Sequence, residues 1–106
     1  MDNVLTRFRD RMQARRLRRT LTPEGRRWLD RATAEIWSEA GDVGEAESIT
    51  TKTLEMQGRQ LGFDPATIVL LIQIAVLIYK TLKALNVLSP TPETVSAIFE
   101  SEDDQG

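Results

Sequence analysis

Residues 66–79 form an almost unbroken run of apolar side chains, and this run constrains the fold more than any other feature of the chain. Only Thr67 and Gln73 interrupt it. Helical spacing places apolar side chains on every side of such a segment, so a helix here needs cover all round. A chain of 106 residues lies near the small end of independently stable domains. We therefore expect the apolar helix to pack against copies of the chain or against larger structural proteins.

Three helix starts share one sequence pattern, in which a residue with a side-chain oxygen directly precedes a proline. The pattern occurs at Thr22-Pro23, Asp64-Pro65 and Thr91-Pro92. The oxygen accepts a hydrogen bond from a free amide of the first turn, and the proline ring already has a helical φ. We predict that a helix begins at each proline.

These signals and the apolar periodicity predict an all-α fold of four to five helices, extended or loosely bundled, with one long apolar helix over residues 65–86. Gly41 suits a left-handed stop after the second helix. Residues 48–61 fit both helical and extended spacing, and we favour a helix. The other predicted helices cover residues 3–19, 23–40 and 92–100.

The chain reads as a single domain with three parts that differ in composition. Residues 1–41 are an arginine-rich amphipathic front, and residues 42–61 are a connector with a short helix. Residues 62–106 contain the apolar helix, a short last helix and an acidic tail. Residues 1–31 carry ten arginines and four acidic residues, whereas the rest of the chain is strongly acidic, and the formal total is −2. Such opposed ends suit contacts between copies or with two differently charged partners.

The arginine cluster is the strongest electrostatic feature. We expect Arg15, Arg16, Arg18 and Arg19 to make the contact with a partner. Arginine binds carboxylates as well as phosphates, so two partners remain open: an acidic protein surface, and a nucleic acid contacted without sequence specificity. A third alternative is that the cluster faces solvent and binds no partner.

Composition argues against most enzyme classes. The chain contains no cysteine and no histidine, which removes disulfides, thiol nucleophiles and the commonest zinc and haem ligands. We expect a protein that is not an enzyme and that uses no cofactor or metal. Residues 1–6 lack an apolar signal-peptide core, so we do not expect secretion by that route.

The apolar helix can be buried either by protein or by lipid. Residues 66–79 span about 21 Å at about 1.5 Å per residue, which is short of a hydrocarbon core of about 30 Å. Extension to residue 88 reaches a spanning length but includes two lysines, so we favour protein over lipid. Gln73 needs a hydrogen-bond partner if it is buried, either its counterpart in another copy or a neighbouring backbone group. The expected docking residues are Ile68, Leu71, Ile72, Gln73, Ala75 and Ile78.

Residues Leu61 to Asn86, with the sequence LGFDPATIVLLIQIAVLIYKTLKALN, resemble segments of small uncharacterised proteins of tailed bacteriophages, some of them virion-associated. The resemblance covers about a quarter of the chain and transfers no functional residue. It implies a structural part of a virus particle assembled in the host cytoplasm. The alternatives are a membrane-active ejection protein of the inner membrane, which inserts residues 66–88, and a packaging or regulatory factor that contacts nucleic acid.

Overall fold

Five helices account for nearly all of the chain that the computed structural model describes, which is the backbone of residues 4–100 and the side chains of residues 8–100. No strand occurs within that range. The all-α class, the helix number and the long apolar helix are therefore confirmed. The helices are α1 Val4–Arg18, α2 Pro23–Ala40, α3 Val43–Gln57, α4 Pro65–Ala84 and α5 Pro92–Glu100.

The three predicted helix starts are confirmed together with their caps. In each case the side-chain oxygen before the proline accepts a hydrogen bond from the backbone amide three residues later. The bonds join Thr22 Oγ1 to Gly25 N at 3.1 Å, Asp64 Oδ1 to Thr67 N at 2.8 Å, and Thr91 Oγ1 to Thr94 N at 3.1 Å.

The connector expected after the second helix is much shorter than predicted. Gly41 has a left-handed φ of 83°, as predicted, but Asp42 already caps the next helix by accepting a hydrogen bond from Glu45 N at 2.8 Å. α3 therefore begins at Val43. The helix favoured for residues 48–61 is confirmed as far as Gln57, where α3 ends.

α4 ends two residues before the predicted boundary because Asn86 adopts a left-handed φ of 61°. The amide of Val87 donates to the carbonyl of Leu82, and the amide of Asn86 donates to the carbonyl of Lys83. This pair of bonds is a Schellman motif, which closes a helix and reverses the chain.

The helices pack in two layers. α4 lies between α1 and α3 in one layer, while α2 and α5 form the second layer and cover the inner side of the first. The radius of gyration is 13.0 Å, close to the value of about 13 Å for a closely packed domain of 100 residues. The extended arrangement therefore does not occur.

The core lies between the layers, and α4 supplies its largest share. Tyr79 of α4 stacks on Trp37 of α2 with ring centroids 5.8 Å apart, and the Trp37 indole donates a hydrogen bond to the carbonyl of Val87. The hydroxyl of Thr50 donates to Ala46, so it accepts from the Tyr79 hydroxyl at 2.6 Å. Burial raises the pKa of Tyr79 to about 12, and the phenol stays neutral at physiological pH.

Candidate docking surface

α4 has an inner face and an outer face, and both are apolar. The inner face, with Leu71, Ile74 and Ile78, is fully buried. The outer face looks away from the second layer. Its residues recur at the spacing of one helical face and remain exposed or half-buried. We call Val69, Ile72, Gln73, Val76 and Leu77 the outer strip.

The outer strip forms the floor of a groove between the two neighbouring helices. A cavity of about 400 Å³ lies over Ile72, Gln73, Val76 and Leu77. Its walls are Gln13 and Leu17 of α1 on one side and Glu47 of α3 on the other. We call this cleft the outer groove. Because its floor is one helix and its walls are two others, its shape suits an inserted helix or a ridge of side chains.

The apolar surface continues toward the start of α4. A second cavity of about 480 Å³ lies between the end of α3 and the first turns of α4, and it shares Val69 with the outer strip. Val69 is 55% exposed. The lining of this cavity is completed by Leu54, Glu55, Arg59, Pro65 and Ile68.

Charged side chains lie beside both cavities. Glu47 is exposed on the α3 wall of the outer groove, whereas Glu55 lines the second cavity together with Arg59. On α1, Arg9, Asp10 and Arg16 lie three or four residues from Gln13, so this side of the groove carries both signs of charge.

The structure corrects the predicted set of apolar docking residues. Leu71, Ala75 and Ile78 are fully buried in the core of the chain itself, so they are not available to a partner. Ile68 and Ile72 are half-buried and line the two cavities. Gln73 is exposed in the single chain, so water can satisfy its amide there.

Of the four arginines predicted to contact a partner, not all are accessible to one. Arg18 is 3% exposed and forms a bidentate ion pair with Asp30 of α2, with its Nε 3.1 Å from Asp30 Oδ1. Its Nη1 donates to Glu100 Oε2 of α5 at 2.8 Å. Arg18 is therefore a structural residue, and its prediction as a contact residue is wrong. Arg16 and Arg19 are exposed, and Arg15 is half-buried.

Burial and pairing with Arg18 shift the pKa values of its two acidic partners, Asp30 and Glu100, in opposite directions. Burial raises the pKa of Asp30, and the hydrogen bond and charge of Arg18 oppose that rise. The hydrogen bond from Arg18 lowers the pKa of Glu100, which is largely exposed. This cluster joins α1, α2 and α5, and its acids are used to stabilise the fold.

The orientation of α1 is the main feature that sequence reasoning missed. The arginine side of α1 turns toward α5, where Arg11 Nε donates to the carbonyl of Ile98 at 3.1 Å, and Phe8 is left 60% exposed. No local signal indicates this, because the partners Asp30, Ile98 and Glu100 are distant in sequence.

A third cavity offers no evident chemistry. It has a volume of about 640 Å³ and lies between the start of α2 and the turn before α4. Trp28 and Phe63 meet edge to face there, and the charges of Arg27 and Arg31 are balanced by Glu24 and Asp64. Among residues 8–100, no group of three or more acidic side chains is placed to hold a metal ion.

α4 is the only helix in the described part of the chain that is long and apolar enough to span a membrane. A core helix of a soluble protein also meets this criterion, so the criterion does not decide between lipid and protein. Comparisons with protein-family models, curated proteins and solved structures gave no match.

Proposed function

We propose that this protein is a non-enzymatic assembly protein that docks onto another protein through the outer groove. The observation that carries the proposal is the outer strip. Val69 is 55% exposed, and Ile72, Val76 and Leu77 are partly exposed, on a surface that the second layer does not cover. Full burial of one such side chain contributes about 1.5 to 3 kcal/mol, so a partner that covers the strip gains appreciable free energy.

A tailed-phage virion is the setting that we propose for this assembly. It rests on the resemblance of residues 61–86 to phage proteins. Exposed charged side chains beside the groove, such as Arg16 and Glu47, support protein docking of this kind, because rim charges set the orientation of an interface.

Insertion of α4 into lipid is the weaker candidate. Seven residues of α4 are buried against the other helices, so the helix has to leave the core before it can span a bilayer. That step exposes the apolar residues of the other four helices to water. Lys80 and Lys83 would also need to reach the headgroups.

Nucleic-acid contact is weaker as well. Arg9, Arg16 and Arg19 remain exposed, but Arg18 is neutralised by Asp30 and Glu100. Glu47 on the other side of the groove repels phosphate.

A single exposed residue tests the docking proposal. Val69→Asp places a charge on the outer strip and leaves the core intact, and Met56→Asp is the matched control because Met56 is 73% exposed and lines neither groove cavity. The mass of the species that contains each variant is measured in native extracts of the cells that make the protein.

We expect wild type and Met56→Asp to occur in species of at least twice the chain mass of 12.0 kDa, and Val69→Asp to occur as the single chain. An unchanged mass for Val69→Asp, or a wild-type protein that is a monomer in the extract, contradicts the proposal.

A further inference from the structure

We infer that the acidic residues Glu102, Asp103 and Asp104, which follow α5, bind to a group of arginines of the same chain and compete there with an acidic partner protein. These three residues lie outside the part of the chain that the structure describes. The arginines lie on α1 and α2 around the end of α5. We call this group the arginine corner, and its members are Arg11, Arg15, Arg18 and Arg26.

Three of these arginines lie on the face of α1 that borders α5. Arg11 Nε donates to the carbonyl of Ile98 at 3.1 Å, and Arg18 Nη1 donates to Glu100 Oε2 at 2.8 Å. Arg15 is half-buried and lies four residues after Arg11 and three before Arg18. Helical spacing therefore places it between them on the same face. The last turn of α5 ends beside these three arginines.

Arg26 of α2 completes the arginine corner. The pKa of Glu100 is lowered mainly by the hydrogen bond from Arg18, and the charge of Arg26 lowers it further, so Arg26 also lies near the end of α5. The acids Asp30 and Glu100 both bond to Arg18. These two acids and the arginine corner together carry four positive and two negative charges, and the excess attracts further carboxylates.

The next acids of the chain are close to this corner by covalent connection. Glu100 contacts Arg18, and Asp104 follows only four residues later. An extended chain covers about 3.3 to 3.6 Å per residue, so the Cα atoms of Glu100 and Asp104 can be at most about 14 Å apart. A short connection of this kind gives an effective concentration on the order of 1 mM. Charge-assisted hydrogen bonds between arginine and carboxylate then suffice for a contact within one chain.

The contact has a consequence for partner binding. Arg15 is one of the arginines predicted to contact a partner, and carboxylates of the same chain that lie on it have to leave before an acidic partner binds. The chain therefore contains its own competitor for this surface. The arginine corner is separate from the outer groove, so this inference does not depend on the proposed function.

A spin label tests the contact directly. The chain contains no cysteine, so Gln105→Cys carries a single nitroxide label and keeps all three acids. We expect the label to broaden the amide NMR signals of Arg15 and Arg26. In the tail variant, which combines Glu102→Gln, Asp103→Asn and Asp104→Asn, this broadening should fall by about twofold or more. Sodium chloride at about 1 M should reduce it as well, because the Debye length is then about 3 Å.

The matched control variant replaces three other acids by glutamine and so changes the net charge by the same amount. These acids are exposed and line the cavities beside α3, and they are Glu35, Glu39 and Glu55. The broadening at Arg15 and Arg26 should be the same in the control variant as in wild type.

Binding of a fluorescent oligoglutamate peptide, measured by anisotropy at low salt, tests the competition. We expect the tail variant to bind this peptide about threefold to tenfold more tightly than wild type, because the competing carboxylates are gone. The control variant shows the effect of net charge alone, and its gain in affinity should be clearly smaller.

Broadening that is equal in wild type and the tail variant overturns the inference, because the connection through Glu100 alone then explains it. An equal gain in peptide affinity for the tail and control variants overturns it too. So does broadening that occurs only between spin-labelled chains and isotope-labelled chains without a spin label, since the acids then bind a second copy. The proposed function is unaffected by these results, because Val69→Asp tests it separately.

Discussion

The inner and outer faces of α4 are built from the same kinds of residue but have opposite environments. Leu71, Ile74 and Ile78 on the inner face are fully buried, whereas Val69 and Gln73 on the outer face are exposed. Apolar content alone does not distinguish the two faces. The difference comes from the neighbours, because α2 and α5 cover one side of the layer that contains α4 and leave the other side open. An apolar sequence therefore predicts that a helix will be buried, but it does not predict which side of the helix the chain itself buries.

Substitution by aspartate on each of the two faces should give the largest difference in stability. Ile78→Asp puts an unpaired carboxylate and a cavity into the core, so we expect a loss of roughly 5 kcal/mol or more in the free energy of unfolding. Val69→Asp on the outer face should change that free energy by less than about 1 kcal/mol. Urea denaturation of both variants measures the difference, and equal losses would show that the two faces are not distinct in solution.

The two sides of α1 extend the comparison to charged residues. Arg18→Ala leaves Asp30 buried without its ion-pair partner, and we expect a loss of about 3 to 5 kcal/mol in stability. Arg16→Ala removes an exposed arginine of the same helix and should cost less than about 0.5 kcal/mol. Thermal and urea unfolding of the two variants measure these values. Similar losses for both would contradict the burial of Arg18.

The smallest expected effect concerns Glu100, the exposed member of the Arg18 cluster. Its pKa in the folded protein is lowered by the hydrogen bond from Arg18, so its stabilisation is present above the ordinary value of 4.5 and is lost as the pH falls through the lower folded value. Glu100→Gln should therefore be less stable than wild type at neutral pH by about 0.5 to 1 kcal/mol.

That difference should shrink as the pH falls below the ordinary glutamate pKa of 4.5. Unfolding free energies of the two proteins, measured at a series of pH values, check it. A difference that is independent of pH would show that Glu100 acts by packing and not by its charge.

Local chemistry explains which features were predictable from the sequence. The proline-preceded caps Thr22, Asp64 and Thr91 fix three helix starts, because their hydrogen bonds join residues only three positions apart. Gly41 likewise marks a stop through its own backbone conformation. Asp42 was missed as a cap because no proline follows it, although its hydrogen bond to Glu45 has the same geometry.

The candidate docking surface was only partly predictable. Ile72 and Gln73 do lie on the outer face, but Leu71, Ala75 and Ile78 do not, and helical spacing alone offers no means of separating these two sets. The role of Arg18 depends on Asp30 and Glu100, which approach it only when α2 and α5 are in place.

The sequence by itself determined the helices, the boundaries of all but α3 to within two residues, and the need of residues 66–79 for apolar neighbours, because these depend on interactions within one or two turns. Only the tertiary structure decided which face of α4 is covered and that Arg18 points inward. Those outcomes depend on which faces of the five helices pack against one another, and that packing is a property of the whole chain.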